Sequence, residues 1–534
     1  MGNDWFETSA DWAVKLTYQD LPQSVVESAK NQIASMLAAM IAGYASVEGK
    51  KIAVACGVSP VRPARKRKAQ QLPSDPVKAA FLLSSWSMIH DYDDVMLGGH
   101  TGHSSVTVPL VLALTRGASG QDFILAQVVA NEIAARFNIA CALGQTRGQM
   151  ASHLHLIGAA VARAKFEKLS ADQMRQAIAF ALASPGKLSL PAFLGSDAKF
   201  FCAAWPVRVG WEAIDCVHAG LQSAVDAVTG ASGFLSLHAP HVQSDLIGGL
   251  GERWFTNTNS FKPYPCCGYI SAAVDCVLDI LGHAPVDVEK VRSITVEASM
   301  FTFGVDRLTQ PYLVGPGSSI ATLSFSPAFV VASTLLHGEF STENYCAPRL
   351  QDPRLWRLVE KVRIRHSREQ TRRSLFTGIP LGIALSTASW PVARAFLRDF
   401  NRLVFHGEGA LKTHLRTIDL GLAWFSARRQ GPPDLSRLTK PLGSEVNILL
   451  SSGKSTSAKR SIPRGFAGDG DWKSIRQLMR DKFFRCAQPV FDGELISECW
   501  ALLERLESAT PADLQRISAY QLSTTKYNNQ RIGS

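Results

Sequence analysis

From residue 10 to about 235, apolar residues recur at three- and four-residue spacing with almost no interruption. "SVVESAKNQIASMLAAMIAGYAS", "GQDFILAQVVANEIAARFNIACAL" and "SADQMRQAIAFALAS" all show that period, the last behind a Ser170 that suits a helix N-cap. Small side chains dominate these stretches, so helix backbones can approach closely. The period therefore predicts a compact body of many helices. No repeat at a fixed interval is present. A content of 46% hydrophobic and 19% charged residues fits a globular chain, and 534 residues exceed what one simple core holds, so two domains are expected.

After about residue 262 the texture changes. "VRSITVEAS" and "KVRIRHS" read as strands, "SEVNILLSSGKSTSAKRSI" as a hairpin, and "SPAFVVASTLLHG" as a helix between them. The tail "DWKSIRQLMRDKFFRCAQ" and "ELISECWALLERLES" returns to amphipathic helix. The reading is mainly α: a large all-helical domain over 1–261 plus 466–534, and a smaller α+β lid domain over 262–465. Residues 371–440, rich in Arg, Gly and Pro, form an atypical insertion between two strands. Either they are a genuine insertion with one or two helices, or they are translated non-coding sequence.

Charge is local. The net charge is +11; "RPARKRK" (62–68) carries +5 and 371–440 carries +7, so the remainder is close to neutral. Two such stretches are not a basic face with interleaved aromatics, and no nucleic-acid partner is expected. The ten cysteines are scattered without a CxxC pair, which indicates neither a zinc site nor a disulfide framework. Apolar runs such as "VTVPLVLALT" break before the ~18 residues a bilayer span needs, and the start "MGNDWFETSADW" lacks a basic, apolar leader. A cytoplasmic location without membrane attachment is the default expectation, with the mitochondrial matrix open.

One short stretch concentrates chemistry: "HDYDDVMLGGHTGHSSVTVPL", from His90 to Leu110. The helix "VKAAFLLSSWSMIH" delivers Asp91 to its end, glycines turn the chain back to His103, and the next helix begins. An aspartate and an imidazole at one elbow suit a general acid/base pair. The competing reading makes Asp93 and Asp94 caps and His90 and His100 surface residues. A metal site is the weakest reading, because no His-x-His or HExxH spacing places ligands on one face.

The order "DYDDVMLGGHTGHSS" resembles the D-[FY]-[DN]-D-T…H-P-S pattern of the MmgE/PrpD family, which contains 2-methylcitrate dehydratase, cis-aconitate decarboxylase and iminodisuccinate epimerase. "ADWAVKLTYQDLPQSVVESAKNQIASMLAAMIAG", "TRGASGQDFILAQVVANEIAARF", "RAKFEKLSADQMRQAIAFA", "FKPYPCCGYISAAVD" and "SIPRGFAGDGDWKSIRQLMRDKF" extend the resemblance over nearly the whole chain apart from 371–440. It implies a cofactor-free, metal-free site between the two domains of a homodimer. It also implies active-site roles for Asp91 and His103, and for Lys199 and Lys262, with Asp91 orienting His103 and the lysines holding carboxylates as point charges. His153, Ser105 and Cys267 are further substrate-side candidates.

Departures accompany it. Val95 replaces a Thr, Ser104 a Pro, Phe329 a Tyr and Ser271 a His, and a family histidine would fall near Gln149, where His153 is the nearest substitute. The expected function is a lyase on a small polycarboxylate, first by dehydration of an alkylcitrate-like acid through proton abstraction. Decarboxylation of a cis-aconitate-like acid and epimerisation of a dicarboxylate are the alternatives. Outside enzymes, the alternative is a degraded relative that only binds.

Overall fold

The computed structural model describes residues 2–58, 73–147, 151–186, 188–239, 242, 247–375, 383–385, 388–405 and 434–515. The basic run 62–68 and Gln149 lie outside them. The chain is mainly α. Helices Gln23–Ala45, Pro76–Met88, Thr107–Arg116, Gly120–Ala140, Ala151–Phe166, Ala171–Ala181 and Ala204–His218 pack on one another around one large apolar cluster. Helix Gly120–Ala140 lies at its centre. By length and composition it could cross a membrane, but 94% of its most apolar window is buried inside the protein, which makes it a core helix.

Local chemistry sets the helix starts. Ser119 and Asp122 form a capping box, and so do Ser170 and Gln173. Asp75 caps Pro76–Met88, with proline in the first turn where its missing N–H costs nothing. Small residues set the approach of the helices: a Cβ on Gly43 would lie 1.9 Å from the carbonyl oxygen of Trp86, where Gln23–Ala45 meets Pro76–Met88.

The second half carries a four-stranded sheet in the order β4–β3–β5–β6, with β3 Val291–Ala298, β4 Val362–His366, β5 Ser444–Leu450 and β6 Ser455–Arg460. β3 and β4 run parallel and are joined by a helical crossover that includes Met300–Thr309 and Pro327–His337. β5 and β6 form an antiparallel hairpin that turns at Gly453, φ +85°. Helix Ser271–His283 covers the sheet. Helix Trp472–Ala487 then returns to pack on Gln23–Ala45.

A second, two-stranded ladder matters more for function. β1 (Asp94–Val95) pairs antiparallel with β2 (Ser260–Phe261), so the helical part is not purely helical. The described part of 371–440 is packed: Ile383, Leu385, Ala393 and Phe396 are buried with Met96, Leu97, Ala135 and Met300. Most of that segment, 376–382, 386–387 and 406–433, lies outside the described residues.

Gly43→Ala should cost about 1–3 kcal/mol, because the methyl meets backbone that cannot yield. Gly282→Ala, in a helix with nothing within 4 Å of the added Cβ, should gain up to about 1 kcal/mol. Urea midpoints of the two variants check this; equal effects would contradict the close helix crossing.

Candidate active site

Helix Pro76–Met88 ends in a bend at which Asp91 takes φ +52°, a left-handed conformation that aspartate tolerates better than most residues. The β1–β2 ladder follows directly. It brings Lys262 beside the bend, and the Lys262 N–H donates to Asp93 O at 3.3 Å. Tyr92 Oη adds a bond to Pro263 O at 2.9 Å.

Lys262 sits between two carboxylates. Its Nζ donates to Asp91 O at 2.9 Å, Asp91 Oδ2 at 2.6 Å and Asp93 Oδ1 at 2.7 Å. Lys199 Nζ lies 3.0 Å from Asp91 Oδ1 and donates to Met88 O at 2.7 Å, with the rings of Phe193 and Phe325 alongside. Both lysines are wholly buried. An ammonium has three donors, so Lys262 has none left for a substrate carboxylate and Lys199 has one. The expectation that both lysines hold substrate as free point charges therefore changes: they hold aspartates.

The partner of His103 is Asp93, not Asp91. His103 Nε2 lies 3.2 Å from Asp93 Oδ2, and the same oxygen is 2.5 Å from His100 Nδ1. His103 Nδ1 meets Ser87 Oγ at 2.7 Å. Asp91 belongs instead to the two lysines. The left-handed turn at Asp91 separates the two carboxylates, so that Asp91 meets the two lysines while Asp93 meets Lys262 and the imidazoles. Asp94 turns inward, where Oδ2 accepts from Gln32 Nε2 at 2.7 Å; Gln32 is held in turn by Gln127 and Asn131. Asp93 and His100, read from the sequence as a cap and a bystander, are thus part of the cluster.

Charges shift accordingly. Burial disfavours the Asp91 carboxylate, but Lys199 and Lys262 outweigh it and bring its pKa down to about 2. Burial opposes ionisation of Asp93 as well, and Lys262, His100 and His103 hold it well below the usual carboxylate range. Lys262 moves upward because Asp91 and Asp93 overcome its burial. Asp94, buried and beside Asp93, moves upward. Burial and Lys199 push His90 down to about 3.

Two further amines reach the same bend. Lys482 donates to Ser35 Oγ at 2.8 Å and Tyr92 O at 2.5 Å, and Lys440 donates to Val95 O. Burial lowers each of them to about 7. Val95, which lacks the threonine hydroxyl, acts here through its backbone, paired with Ser260.

Other expected residues fall differently. His153 meets Phe234 edge-on and His238 at a tilt, with ring centroids 4.8 and 4.7 Å away. It is His155, two residues on, that meets the His103 ring at 5.6 Å and Ser104 Oγ at 3.1 Å. Ser105 Oγ donates back to Thr101 O at 3.0 Å within its own turn. Cys267 is buried, and burial and Asp91 raise its thiol to about 12, which keeps it protonated. Phe329 joins Phe340, Tyr345 and Trp356 in an aromatic cluster. The Tyr345 hydroxyl donates to Pro265 O at 2.5 Å. Ser271 is buried at the start of its helix. Among the described residues no three His, Cys, Asp or Glu side chains are disposed to hold one ion.

A helical body, an α+β companion and buried acid–base groups on the bend that leads to their junction define the class of protein. The chain belongs to the MmgE/PrpD family: residues 7–246 match its N-terminal domain and residues 264–380 its C-terminal domain. Lys262 lies in the short join between the two matches. The chain is also similar to cis-aconitate decarboxylase from Aspergillus terreus, 25% identical over 387 residues, which is 67% of this chain and 77% of that protein. These likenesses support a lyase.

The lowered Lys482 makes a pH prediction. Below about 7 this amine is charged in both folded and unfolded chains and its burial cost is complete. As pH rises from 7 towards 10.5 the folded form has lost a proton that the unfolded form still binds, so the cost fades. Lys482→Met should therefore lose stability relative to the parent as pH is raised from 7 to 9.5, read from urea midpoints. A constant difference would contradict the assignment.

Proposed function

We propose that this protein is a lyase for small polycarboxylates, and that it removes CO2 from a cis-aconitate-like acid. The observation that supports this best is one aspartate carrying two imidazoles on one oxygen and a buried lysine on the other. Decarboxylation breaks a carbon–carboxylate bond, and the electron pair passes into the conjugated acid. The carbon on which that pair comes to rest then needs a proton, which an imidazolium held by a carboxylate can supply. The remaining N–H of Lys199 stabilises charge on a neighbouring carboxylate. The likeness to the Aspergillus terreus decarboxylase points to this substrate class.

Dehydration of an alkylcitrate-like hydroxy acid is the second reading. It is favoured by the pairing of His100 and His103: one imidazole would take the proton beside a carboxylate and the other would protonate the departing hydroxide. The absence of hydroxyls at Val95 and Phe329 bears on both reactions, since the family resemblance places hydroxyl groups there.

Purified protein should release CO2 from cis-aconitate and, under the second reading, form unsaturated acid from 2-methylcitrate. His103→Ala and Asp93→Asn should each lower kcat by about 10²–10⁴ with circular dichroism unchanged. His153→Ala should stay within about threefold, a change of under 1 kcal/mol in barrier. Neither turnover nor binding of any polycarboxylate would overturn the enzyme reading. A near-normal rate in Asp93→Asn would overturn the role of that carboxylate.

A further inference from the structure

Decarboxylation consumes one proton in every turnover, because the electron pair left by the departing CO2 must end in a new C–H bond. The structure gives His103 no direct path for that supply. Its side chain is 3% exposed, its Nδ1 rests on Ser87 Oγ, and the buried His155 lies against its ring. Ser87 Oγ donates its own proton to Ser84 O at 2.8 Å, so it accepts from His103 Nδ1. The nitrogen of His103 that gains and loses a proton is therefore Nε2, and Nε2 faces Asp93 Oδ2.

His100 occupies the other side of that oxygen. Its Nδ1 lies 2.5 Å from Asp93 Oδ2, and its side chain is 38% exposed, against 2% for Asp93. Among the described residues His100 Nε2 makes no hydrogen bond. Among the described residues it is the imidazole of the cluster whose side chain is open to solvent.

We propose that His100 is the proton port of the site, reloading His103 through Asp93 after each decarboxylation; this rests on the decarboxylase reading above. A solvent acid protonates His100 Nε2. The Nδ1–H bond then breaks as a proton passes to Asp93 Oδ2, and that O–H bond breaks as the proton passes to His103 Nε2. The net change is one proton moved from solvent to His103 Nε2, with Asp93 again a carboxylate and His100 neutral as its Nε2–H tautomer, which proton exchange with solvent returns to the Nδ1–H form before the next turnover. Lys262 on Oδ1 keeps the carboxylate in place throughout. His100 thus acts through His103, as a relay.

The test uses the full-length protein with saturating cis-aconitate. His100→Ala should lower kcat about tenfold or more with KM little changed, and added imidazole should restore much of the rate because the vacated place opens to solvent. His103→Ala, whose place is buried, should not respond to imidazole. His100→Gln keeps a donor for Asp93 but cannot relay a proton, so it should fold normally and remain slow. A His100→Gln rate within twofold of the parent would overturn the port, as would a His100→Ala loss that imidazole leaves untouched. A parent protein that releases no CO2 from any aconitate-like acid would overturn the decarboxylase reading and the port together. A decarboxylating parent with unaffected His100 variants would overturn the port alone.

Discussion

The bend between Met88 and Val95 is held by four buried lysine amines, and the site depends on that grip. Lys199 takes Met88 O, Lys262 takes Asp91 O, Lys482 takes Tyr92 O and Lys440 takes Val95 O. The four come from distant parts of the chain, so the short bend is pinned by the helical body, the domain junction, the end of the 371–440 segment and helix Trp472–Ala487 together. Burying amines carries a desolvation cost on the order of several kcal/mol per ion; Asp91 and Asp93 overcome it at Lys262, whereas at Lys440 and Lys482 burial prevails. Apolar residues would stabilise such a core at least as well. What amines add is a fixed backbone path and fixed carboxylates, and acid–base chemistry requires both.

That constraint explains the division of labour among the three aspartates. Asp91 neutralises two lysines, Asp93 joins Lys262 to two imidazoles, and Asp94 anchors the bend to Gln32 and so to helices Gln23–Ala45 and Gly120–Ala140. Two carboxylates thus stand against two lysines at the centre of the cluster, with the imidazoles at its edge.

Much of the fold was legible because helical period and strand alternation are local. The hairpin at 444–460, the strands at 291–298 and 362–366 and the Ser170 cap all lie where their residues predict them. Four side chains of the cluster could be named from the sequence, but neither their partners nor its other members. Asp91, His103, Lys199 and Lys262 do converge, yet the sequence reading joined Asp91 to His103. The positive φ at Asp91, which separates its partners from those of Asp93, is not marked by any local pattern in the sequence. No local pattern marks Lys440 or Lys482, because an isolated lysine looks like surface charge until the fold encloses it. Of the two neighbouring histidines the choice fell on His153, but His155, two residues on and so about half a helical turn away, is the ring that meets His103.

The residues by themselves determined a many-helix body, an α+β companion after residue 262 and an elbow rich in acids and imidazoles, because each follows from near-neighbour spacing. Tertiary structure alone decided which carboxylate serves which base. That choice rests on the two-residue ladder Asp94–Val95 with Ser260–Phe261, which sets Lys262 between Asp91 and Asp93, and on burial that leaves His100 open while it closes His103. Distances between groups far apart in the chain, and their access to water, exist only once the chain has folded.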